Sequence, residues 1–312
     1  MTPVEVLPGD SAVVLGQPHG GTWLPEAVAA RLNPTGRALA DTDWHIGRLY
    51  EGLLPGATVV RASFHRYLID ANRDPSGASL YPGQNTTGLV PVTDFDGLPI
   101  WTEAPDAAEI ERRRTAFHAP YHAALAAELQ RVKARHGYAI LWDCHSIRSE
   151  IPFLFEGRLP DLNIGTNGGT SCASELERMV AVTCGADFPG TTEGSARPEG
   201  GRAAPALGRG GTVAPVAPRK PAERSGAARA AGAARKEETN FTAVLNGRFK
   251  GGWTTRAYGR PAEGLHAIQM EIAQSAYLEA ESPPWTYSEA KAARLRPLLA
   301  RILSDLAEWR PE

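Results

Sequence analysis

Tyr138-Ala139-Ile140-Leu141-Trp142-Asp143-Cys144-His145-Ser146 is the stretch that decides the fold class. Its first five residues are mostly apolar, and they follow a long helical pattern over residues 107–136 that ends before Gly137. A short apolar run after a helix predicts a buried strand. Because polar residues follow this run at once, we expect the strand to deliver side chains to a ligand site at its carboxyl end.

The same alternation of strands and helices runs along most of the chain. The predicted strands are Ser11–Gln17, Ala57–Ala62, Phe64–Asp70, Tyr138–Trp142, Thr242–Leu245 and His266–Ile272. The predicted helices are Leu24–Leu32, Asp41–Leu54, Ala107–His136, Ser171–Thr183 and Ser288–Trp309, with a long polar loop over Asn72–Asp96. This order predicts one α/β domain over residues 1–312, with helices on both faces of a sheet.

The overall composition is typical of a globular protein. The chain has 312 residues, of which 42% are hydrophobic and 22% charged, and a formal net charge of −2. This charge argues against a globally basic nucleic-acid binder, and no apolar run is long enough to predict a membrane span. Three cysteines and a start without signal-peptide features predict a cytoplasmic enzyme or binding protein.

Residues 190–236 differ from the rest of the chain. They contain 9 Gly, 5 Pro and 13 Ala in 47 positions, and nine basic residues against three acidic ones. The segment has too few apolar side chains to offset the conformational entropy that it would lose on folding. We interpret the segment as a low-complexity, disordered insertion within the domain. Three interpretations of the segment stay open: a solvated loop, the product of a locally shifted reading frame in the gene, or a surface for an acidic partner.

Two histidines follow predicted strands and are expected to converge on one metal ion. His19 comes after the first strand, and His145 comes after the strand that ends at Trp142. Zinc in hydrolases takes about three protein ligands, of which a carboxylate is a common third. Asp43 is the first choice for it, with Asp41, His45 and Glu26 as reserves. The alternative is that each histidine is an ordinary hydrogen-bonded residue.

Two arginines at the end of another predicted strand favour an anionic substrate. Arg66 and Arg73 are seven residues apart, with Asn72 beside the second, and a guanidinium matches a carboxylate with two parallel hydrogen bonds. The alternative is that both arginines pair with Asp70 and Asp74. Further cations stand among glycines at Arg248, Lys250 and Arg256.

A glutamate interrupts the apolar strand His266–Ile272. Burial of Glu271 is costly unless the carboxylate is paired or functional, and burial also raises its pKa toward the range useful for proton transfer. Glu271 is therefore a candidate acid or base, and a structural ion pair is the competing interpretation.

Several of these stretches together resemble the N-formylglutamate amidohydrolase (N-formylglutamate deformylase) family of histidine breakdown. The matching blocks are Pro18-His19-Gly20-Gly21 with Pro25, Asp41–His45, Arg66-Tyr67, Asn72-Arg73, Gly77–Gln84, Trp142–Arg148, Leu154–Asn163, Asn246–Gly252, Tyr258–Pro261 and Gln269–Glu271. The resemblance covers nearly the whole chain except residues 185–240. It implies a three-layer mixed sheet with helices on both faces, similar to carboxypeptidases and phosphorylase/hydrolase-type proteins.

The family is in turn similar to zinc carboxypeptidases and aspartoacylase, and this implies roles for individual residues. The implied roles are metal ligands for His19 and His145, catalysis for Glu271 and Arg66, and substrate binding for Asn72 and Arg73. Because the expected substrate has two carboxylates, Arg148, Arg248 and Arg256 are candidates for a second carboxylate site. One position departs from the pattern: Thr22 stands three residues after His19, where those proteins carry a metal-binding Glu. The third metal ligand must therefore come from elsewhere, and Asp43 is our choice for it.

The resemblance implies metal-dependent hydrolysis of N-formyl-L-glutamate to formate and L-glutamate, with zinc as the expected metal. The chain would then work in the cytoplasm, in histidine degradation, on a small molecule and without a membrane or nucleic-acid partner. Two alternatives remain: a zinc amidohydrolase that acts on another N-acyl amino acid, and a non-catalytic binding module that uses the basic segment 190–236.

Overall fold

The computed structural model describes residues 2–79, 85–188 and 241–311. Residues 1–187 and 241–312 belong to one compact unit, apart from residues 188–240. The predicted insertion at 190–236 lies outside the described residues. None of the helices that the structure describes combines the length and the apolar composition needed to cross a bilayer.

A seven-stranded mixed sheet forms the centre of this unit. Its strands are β1 (Val4–Leu7), β2 (Val13–Gln17), β3 (Thr58–Ala62), β4 (Ala139–Ile147), β5 (Leu162–Gly165), β6 (Ala243–Leu245) and β7 (Leu265–Ala273). They lie in the order β1-β3-β2-β4-β7-β5-β6. The inner strands β3, β2, β4 and β7 are parallel, whereas β1 and β5 run antiparallel to their inner neighbours. The predicted mixed sheet is confirmed.

The helices lie between these strands along the chain. They are α1 (Glu26–Ala29), α2 (Pro34–Arg37), α3 (Ile46–Tyr50), α4 (Ala107–Arg113), α5 (Ala119–His136), α6 (Ser174–Cys184), α7 (Trp253–Tyr258) and α8 (Glu289–Glu308). A π-helical turn over Arg114–His118 joins α4 to α5. This turn immediately precedes α5, which carries Pro120 at its start, and the missing N–H of a proline is a sufficient reason for a local change of hydrogen-bond pattern.

Helices cover both faces of the sheet, as predicted. Side chains of successive strand residues point to opposite faces. Val14 and Leu141 lie in one apolar cluster with Leu129 of α5. Trp142, on the other face, donates its Nε1–H to the Tyr50 hydroxyl of α3 at 3.1 Å, and α8 packs against α3 and β2. The result is a three-layer arrangement.

Two predicted elements are wrong, and both lie near the carboxyl ends of the inner strands. Phe64–Asp70 is not a strand, because only Phe64 bridges to Trp23 and a turn follows. The ring nitrogen Nδ1 of His65 accepts the backbone N–H of Tyr67 at 3.1 Å, which stabilises that turn.

The helix predicted over Asp41–Leu54 begins only at Ile46. His45 stands before it in the left-handed region with φ 58°, so the chain makes a turn there instead of a helix. Conversely, β4 continues five residues past its predicted end at Trp142, because its pairing with β7 continues to Ile147. His145 therefore lies inside the strand rather than after it.

Candidate active site and metal centre

Two parallel strands carry the centre of the site. In the register of β4 and β7, Asp143 lies beside Gln269 and His145 lies beside Glu271. All four are on the sheet face that packs against α5, because they alternate in step with Leu141 on β4 and Ala267 on β7. The middle of the sheet thus presents buried polar side chains on one face at the carboxyl ends of its strands.

The structure brings His19, Asp43 and His145 together. The Nδ1 atoms of His19 and His145 are 3.2 Å apart, and their ring centroids are 5.0 Å apart. Oδ2 of Asp43 lies 3.4 Å from Nδ1 of His145 and 3.9 Å from Nδ1 of His19. All three residues are buried, and their candidate ligand atoms lie within 4.8 Å of one another.

The opposite nitrogen of each ring is held by a carboxylate. Nε2 of His19 lies 2.7 Å from Oδ1 of Asp70, and Nε2 of His145 lies 3.2 Å from Oδ2 of Asp143. The Nδ1 atoms of the two rings face each other and Asp43. This carboxylate–histidine arrangement is typical of metal-binding histidines.

The donor set fits a divalent cation. Two nitrogen ligands of one tetrahedral zinc ion lie about 3.3 Å apart when each bond is about 2.0–2.1 Å, which agrees with the 3.2 Å between the Nδ1 atoms. The acidic groups around the rings are Asp43, Asp70, Asp143 and Glu271, and the basic ones are Arg66 and Arg73. The group can therefore hold a metal ion.

The pKa values of the two histidines move in opposite directions. Burial, assisted by the charge of Arg66, lowers the pKa of His19 to about 4, so that ring is neutral at physiological pH. Burial also acts against protonation of His145, but Asp143 and Asp43 outweigh it and raise the pKa of His145 well above its ordinary value. The site thus favours positive charge beside Asp43.

Asp43 lies on the turn before α3, and several contacts fix it there. Its backbone N–H donates to the carbonyl of His19 at 3.1 Å, and its Oδ2 accepts the backbone N–H of Ser146 at 3.0 Å. Its Oδ1 lies 3.5 Å from a guanidinium nitrogen of Arg66. The turn that replaces the predicted helix is therefore what brings this carboxylate to the histidines.

The three reserve ligands lie elsewhere. Asp41 accepts the Tyr67 hydroxyl at 2.9 Å on its Oδ2, and the same oxygen accepts the backbone N–H of Phe95 at 3.0 Å. His45 contacts the carbonyl of Trp285 through its Nε2. Glu26 is exposed.

Glu271 is buried, with 7% of its surface exposed. Within residues 2–79, 85–188 and 241–311 it forms no salt bridge; its Oε2 accepts a hydrogen bond from Nε2 of Gln269 at 3.1 Å. Burial raises the pKa of Glu271 to about 8, although the charge of His145 opposes the shift. A carboxyl group with a pKa near neutrality is suited to take up and release a proton.

A cleft of about 650 Å³ opens over these residues. Among the described residues, its lining includes His19, Arg66, Asn72, Arg73, Phe95, His145, Leu154, Arg248, Phe249, Gln269 and Glu271. The lining therefore includes two of the three metal-ligand candidates, His19 and His145, both predicted catalytic residues and three of the predicted substrate-binding residues.

The remaining two substrate-binding candidates are not part of the described lining. Arg148 pairs with Asp96 at 2.8 Å, and Nε of Arg256 donates to the carbonyl of Gly251 at 3.2 Å. Their contact with a substrate stays a prediction. The geometry favours Arg73 and Arg248 over them.

Sequence reasoning missed three buried residues that hold the site: Asp70, Asp143 and Gln269. Asp143 and Gln269 each stand two residues before a site residue, His145 and Glu271, so a strand periodicity of two could have found them. Asp70 gave no such signal, because it acts through a contact across 51 residues of sequence.

Comparison with known proteins agrees with this geometry. The family model for N-formylglutamate amidohydrolase matches residues 11–194 and 213–278. The chain belongs to this family. The family match includes all three metal-ligand candidates and Glu271, and it also covers parts of the predicted insertion, residues 190–194 and 213–236.

Two relatives of the N-formylglutamate amidohydrolase family are similar over nearly their whole length. An N-formylglutamate deformylase of Pseudomonas aeruginosa is 38% identical over 304 residues, which cover 96% of this chain and 94% of that protein. An N-formylglutamate deformylase of Pseudomonas putida is 38% identical over 307 residues, which cover 97% and 95%.

Solved structures support the fold. A crystal structure of N-formylglutamate amidohydrolase from Ralstonia eutropha superimposes with a TM-score of 0.68 at 24% identity, covering 99% of this chain and 98% of that one. A gene product of Agrobacterium tumefaciens superimposes with a TM-score of 0.61 at 17% identity, covering 99% and 97%. The α/β class predicted from the sequence is thus found in both.

Proposed function

We propose that this chain hydrolyses N-formyl-L-glutamate to formate and L-glutamate. The observation that carries the proposal is the buried group of His19, Asp43 and His145, in which both histidines line one cleft together with Glu271. Its two Pseudomonas relatives are deformylases of this substrate. The reaction would place the protein in histidine degradation in the cytoplasm, as its resemblance implies.

His19, Asp43 and His145 would hold the metal ion, and zinc is the proposed one because two imidazoles and one carboxylate are a typical zinc set. When bound, a divalent ion of this kind activates water for attack on a carbonyl. Asp70 and Asp143 orient the two imidazoles from behind. Their contacts keep Nδ1 of each ring toward Asp43.

Glu271 is the proposed general base and acid. It takes the proton of the attacking water at its carboxylate and later gives that proton to the leaving amine nitrogen. Its buried position beside His145 on the neighbouring strand places it at the edge of the cleft. Because Gln269 engages Oε2, Oε1 is the proposed oxygen for this transfer.

Arg66 is proposed to stabilise the negative charge that develops on the formyl oxygen. Its guanidinium is buried, with 5% of the residue exposed, and it lines the same cleft. A fixed cation in such a water-poor place acts more strongly on developing charge than it would in solvent. Asp43, 3.5 Å away, helps to fix it.

The two carboxylates of the substrate need cationic partners. Arg73 lines the cleft, and three hydrogen bonds, to the carbonyl and hydroxyl of Thr87 and to the carbonyl of Asn72, hold its guanidinium in place. A guanidinium has five N–H groups, of which these bonds use three, and Nη1 also lies 3.6 Å from Oδ2 of Asp70. Asn72 and Arg73 are the proposed first carboxylate site, and Arg248 is the proposed second.

Formate release by the purified chain tests the proposal. We expect release from N-formyl-L-glutamate, loss of release after exhaustive chelation, and recovery on addition of one equivalent of zinc. N-acetyl-L-glutamate in parallel tests the choice of acyl group, and we expect much slower cleavage. Full activity after complete metal removal contradicts the metal role, and equal cleavage of both substrates contradicts the assigned specificity.

A further inference from the structure

Gln269 bridges the proposed base and a backbone segment on the other side of the cleft. It lies two residues before Glu271 on β7, so both side chains are on the same sheet face, and 3% of its surface is exposed. Its Oε1 accepts the backbone N–H of Gly252 at 2.7 Å, and its Nε2 donates to Oε2 of Glu271 at 3.1 Å.

The orientation of this amide is determined by its neighbours. A backbone N–H can only donate, so the group of Gln269 that faces Gly252 is the carbonyl oxygen. The amide nitrogen must then face Glu271. Gln269 thus always offers a donor to the carboxylate of Glu271, and one oxygen of that carboxylate is held.

The segment that orients Gln269 also contacts the metal-ligand side of the cleft. The backbone N–H of Thr254 donates to Oδ1 of Asn72 at 2.8 Å, and Nδ2 of Asn72 lies 3.1 Å from Nε2 of His145. The fit is close, because a Cβ atom at Gly252 would lie 2.3 Å from Nδ2 of Asn72. Residues 252–254 therefore connect Glu271, through Gln269, with the surroundings of His145.

We propose that Gln269 is a positioning residue for Glu271: it fixes the carboxylate in the orientation from which the proton transfer takes place. Gln269 forms no bond with the reacting atoms and acts only through Glu271. This inference rests on the proposed function, because it assumes that Glu271 is the base.

A purely structural role for Gln269 predicts a different result. In that case the bond from Gly252 would be the important one, and any side chain that accepts it would serve. Q269E keeps an acceptor for the Gly252 N–H but replaces the amide donor to Glu271 by a second carboxyl group. Q269M is neutral, of similar length, and removes both bonds. The two variants therefore separate positioning of Glu271 from support of the loop.

The test measures kcat, KM, bound metal and thermal unfolding for Q269E, Q269M and a control. We expect both variants to lose about 10- to 100-fold in kcat, as is usual when a side chain that orients a functional residue is removed. KM and metal content stay within about twofold of the unchanged protein. The control is Q17M, which replaces a buried glutamine on the opposite face of the sheet. We expect Q17M to keep the kcat of the unchanged protein.

A double-mutant cycle completes the test. If Gln269 acts only through Glu271, then Q269M has no further effect on residual turnover in the E271Q background. A full kcat in Q269E or in Q269M overturns the proposal, as does an equal loss of kcat with and without Glu271. If the unchanged chain hydrolyses N-formyl-L-glutamate but E271Q keeps its kcat, the positioning role alone is overturned. If the unchanged chain hydrolyses no N-acyl amino acid, the proposed function is overturned with it.

Discussion

The site is assembled from two regions that are held in different ways. The strand-borne residues, His145 and Glu271, sit opposite each other in the register of β4 and β7, so backbone hydrogen bonds fix their separation. The loop-borne residues lie on turns after β2 and β3 and around α3, and no sheet register places them. They are His19, Asp43, Arg66, Asn72 and Arg73.

Hydrogen bonds of buried side chains, rather than the pairing of strands, hold the loop-borne residues in place. Thr42, beside Asp43, receives a hydrogen bond on its carbonyl from Nε2 of Gln274, and its hydroxyl lies 3.0 Å from Nε2 of His65. Nε2 of His122 lies 2.7 Å from the carbonyl of Ala71. The comparison teaches that a change in the strand-borne Glu271 should affect the chemical step, whereas changes in the contacts that hold His19, Asn72 and Arg73 should affect metal affinity, substrate affinity or stability.

The largest expected effect is on a strand-borne residue. E271Q should reduce kcat for formate release by about 10²- to 10⁴-fold, because an amide cannot take the proton of the attacking water. Metal content should stay at the level of the unchanged protein, since Glu271 is not a metal-ligand candidate. Steady-state kinetics and metal analysis check this. The control is E263Q, at an exposed glutamate before β7, and a kcat of E271Q within tenfold of that control would sink the assignment.

The next effect concerns a loop-borne ligand. D70N should weaken metal affinity by about 10- to 100-fold, because Asp70 orients His19 through its Nε2. Competition with a chromophoric chelator measures the affinity. D74N, four residues further along the same loop, is the matched control, since Asp74 bonds only locally to the backbone N–H of Ser76. Equal affinities for D70N and D74N would show that Asp70 does not support the metal ligand.

Acid should weaken the loop-borne region through His122. Burial, with a smaller contribution from the charge of His118, lowers the pKa of His122 from 6.5 to about 3. As the pH falls, the unfolded chain therefore binds a proton at His122 before the folded chain does. The contribution of His122 to the unfolding free energy is complete above pH 6.5 and is lost as the pH falls toward 3. Between pH 7 and pH 5 His122 should contribute a loss of about 2 kcal/mol in unfolding free energy.

Denaturant unfolding of the unchanged chain and of H122Q at both pH values measures this contribution. The side-chain amide of Gln can still donate to the carbonyl of Ala71 but does not titrate in this range. Other groups titrate equally in both proteins. The groups that face His122 are the ring of His118 and, from α7, the hydroxyl of Tyr258. Identical losses of stability in the two proteins would contradict the assignment.

The smallest effect concerns substrate binding. R73K should raise KM for N-formyl-L-glutamate about tenfold with little change in kcat, because lysine keeps the charge but loses the planar fork that Thr87 holds. Steady-state kinetics check it. R114K, at a half-buried position of the π-helical turn where Arg114 pairs with Glu111, should leave KM unchanged. A normal KM in R73K would remove Arg73 from the carboxylate site.

The strand-borne residues are also the ones that the sequence predicts best. Apolar runs mark β2, β4 and β7, and a polar residue within or after such a run stands out, as His145 and Glu271 do. The length of β4 could not be predicted, because its polar end is stable only through its pairing with β7.

Several of the loop-borne residues stand in stretches whose secondary structure the sequence predicts wrongly. Phe64–Asp70 has the composition of a strand, but the side chain of His65 satisfies the backbone of a turn instead. The sequence predicts Asp43 to be part of a helix, whereas the left-handed conformation of His45 makes that helix begin only at Ile46. Asp70 contacts His19 across the fold, and no local pattern predicts such a contact.

The central claim is that one metal ion sits between the two regions, bound by His19 and Asp43 from the loops and by His145 from β4. Anomalous diffraction at the zinc edge, from crystals of the chain loaded with one equivalent of zinc, tests it most directly. We predict a single strong peak per chain within bonding distance of Nδ1 of His19, Nδ1 of His145 and a carboxylate oxygen of Asp43. A peak bound by other residues, or no peak at this place, would contradict the account.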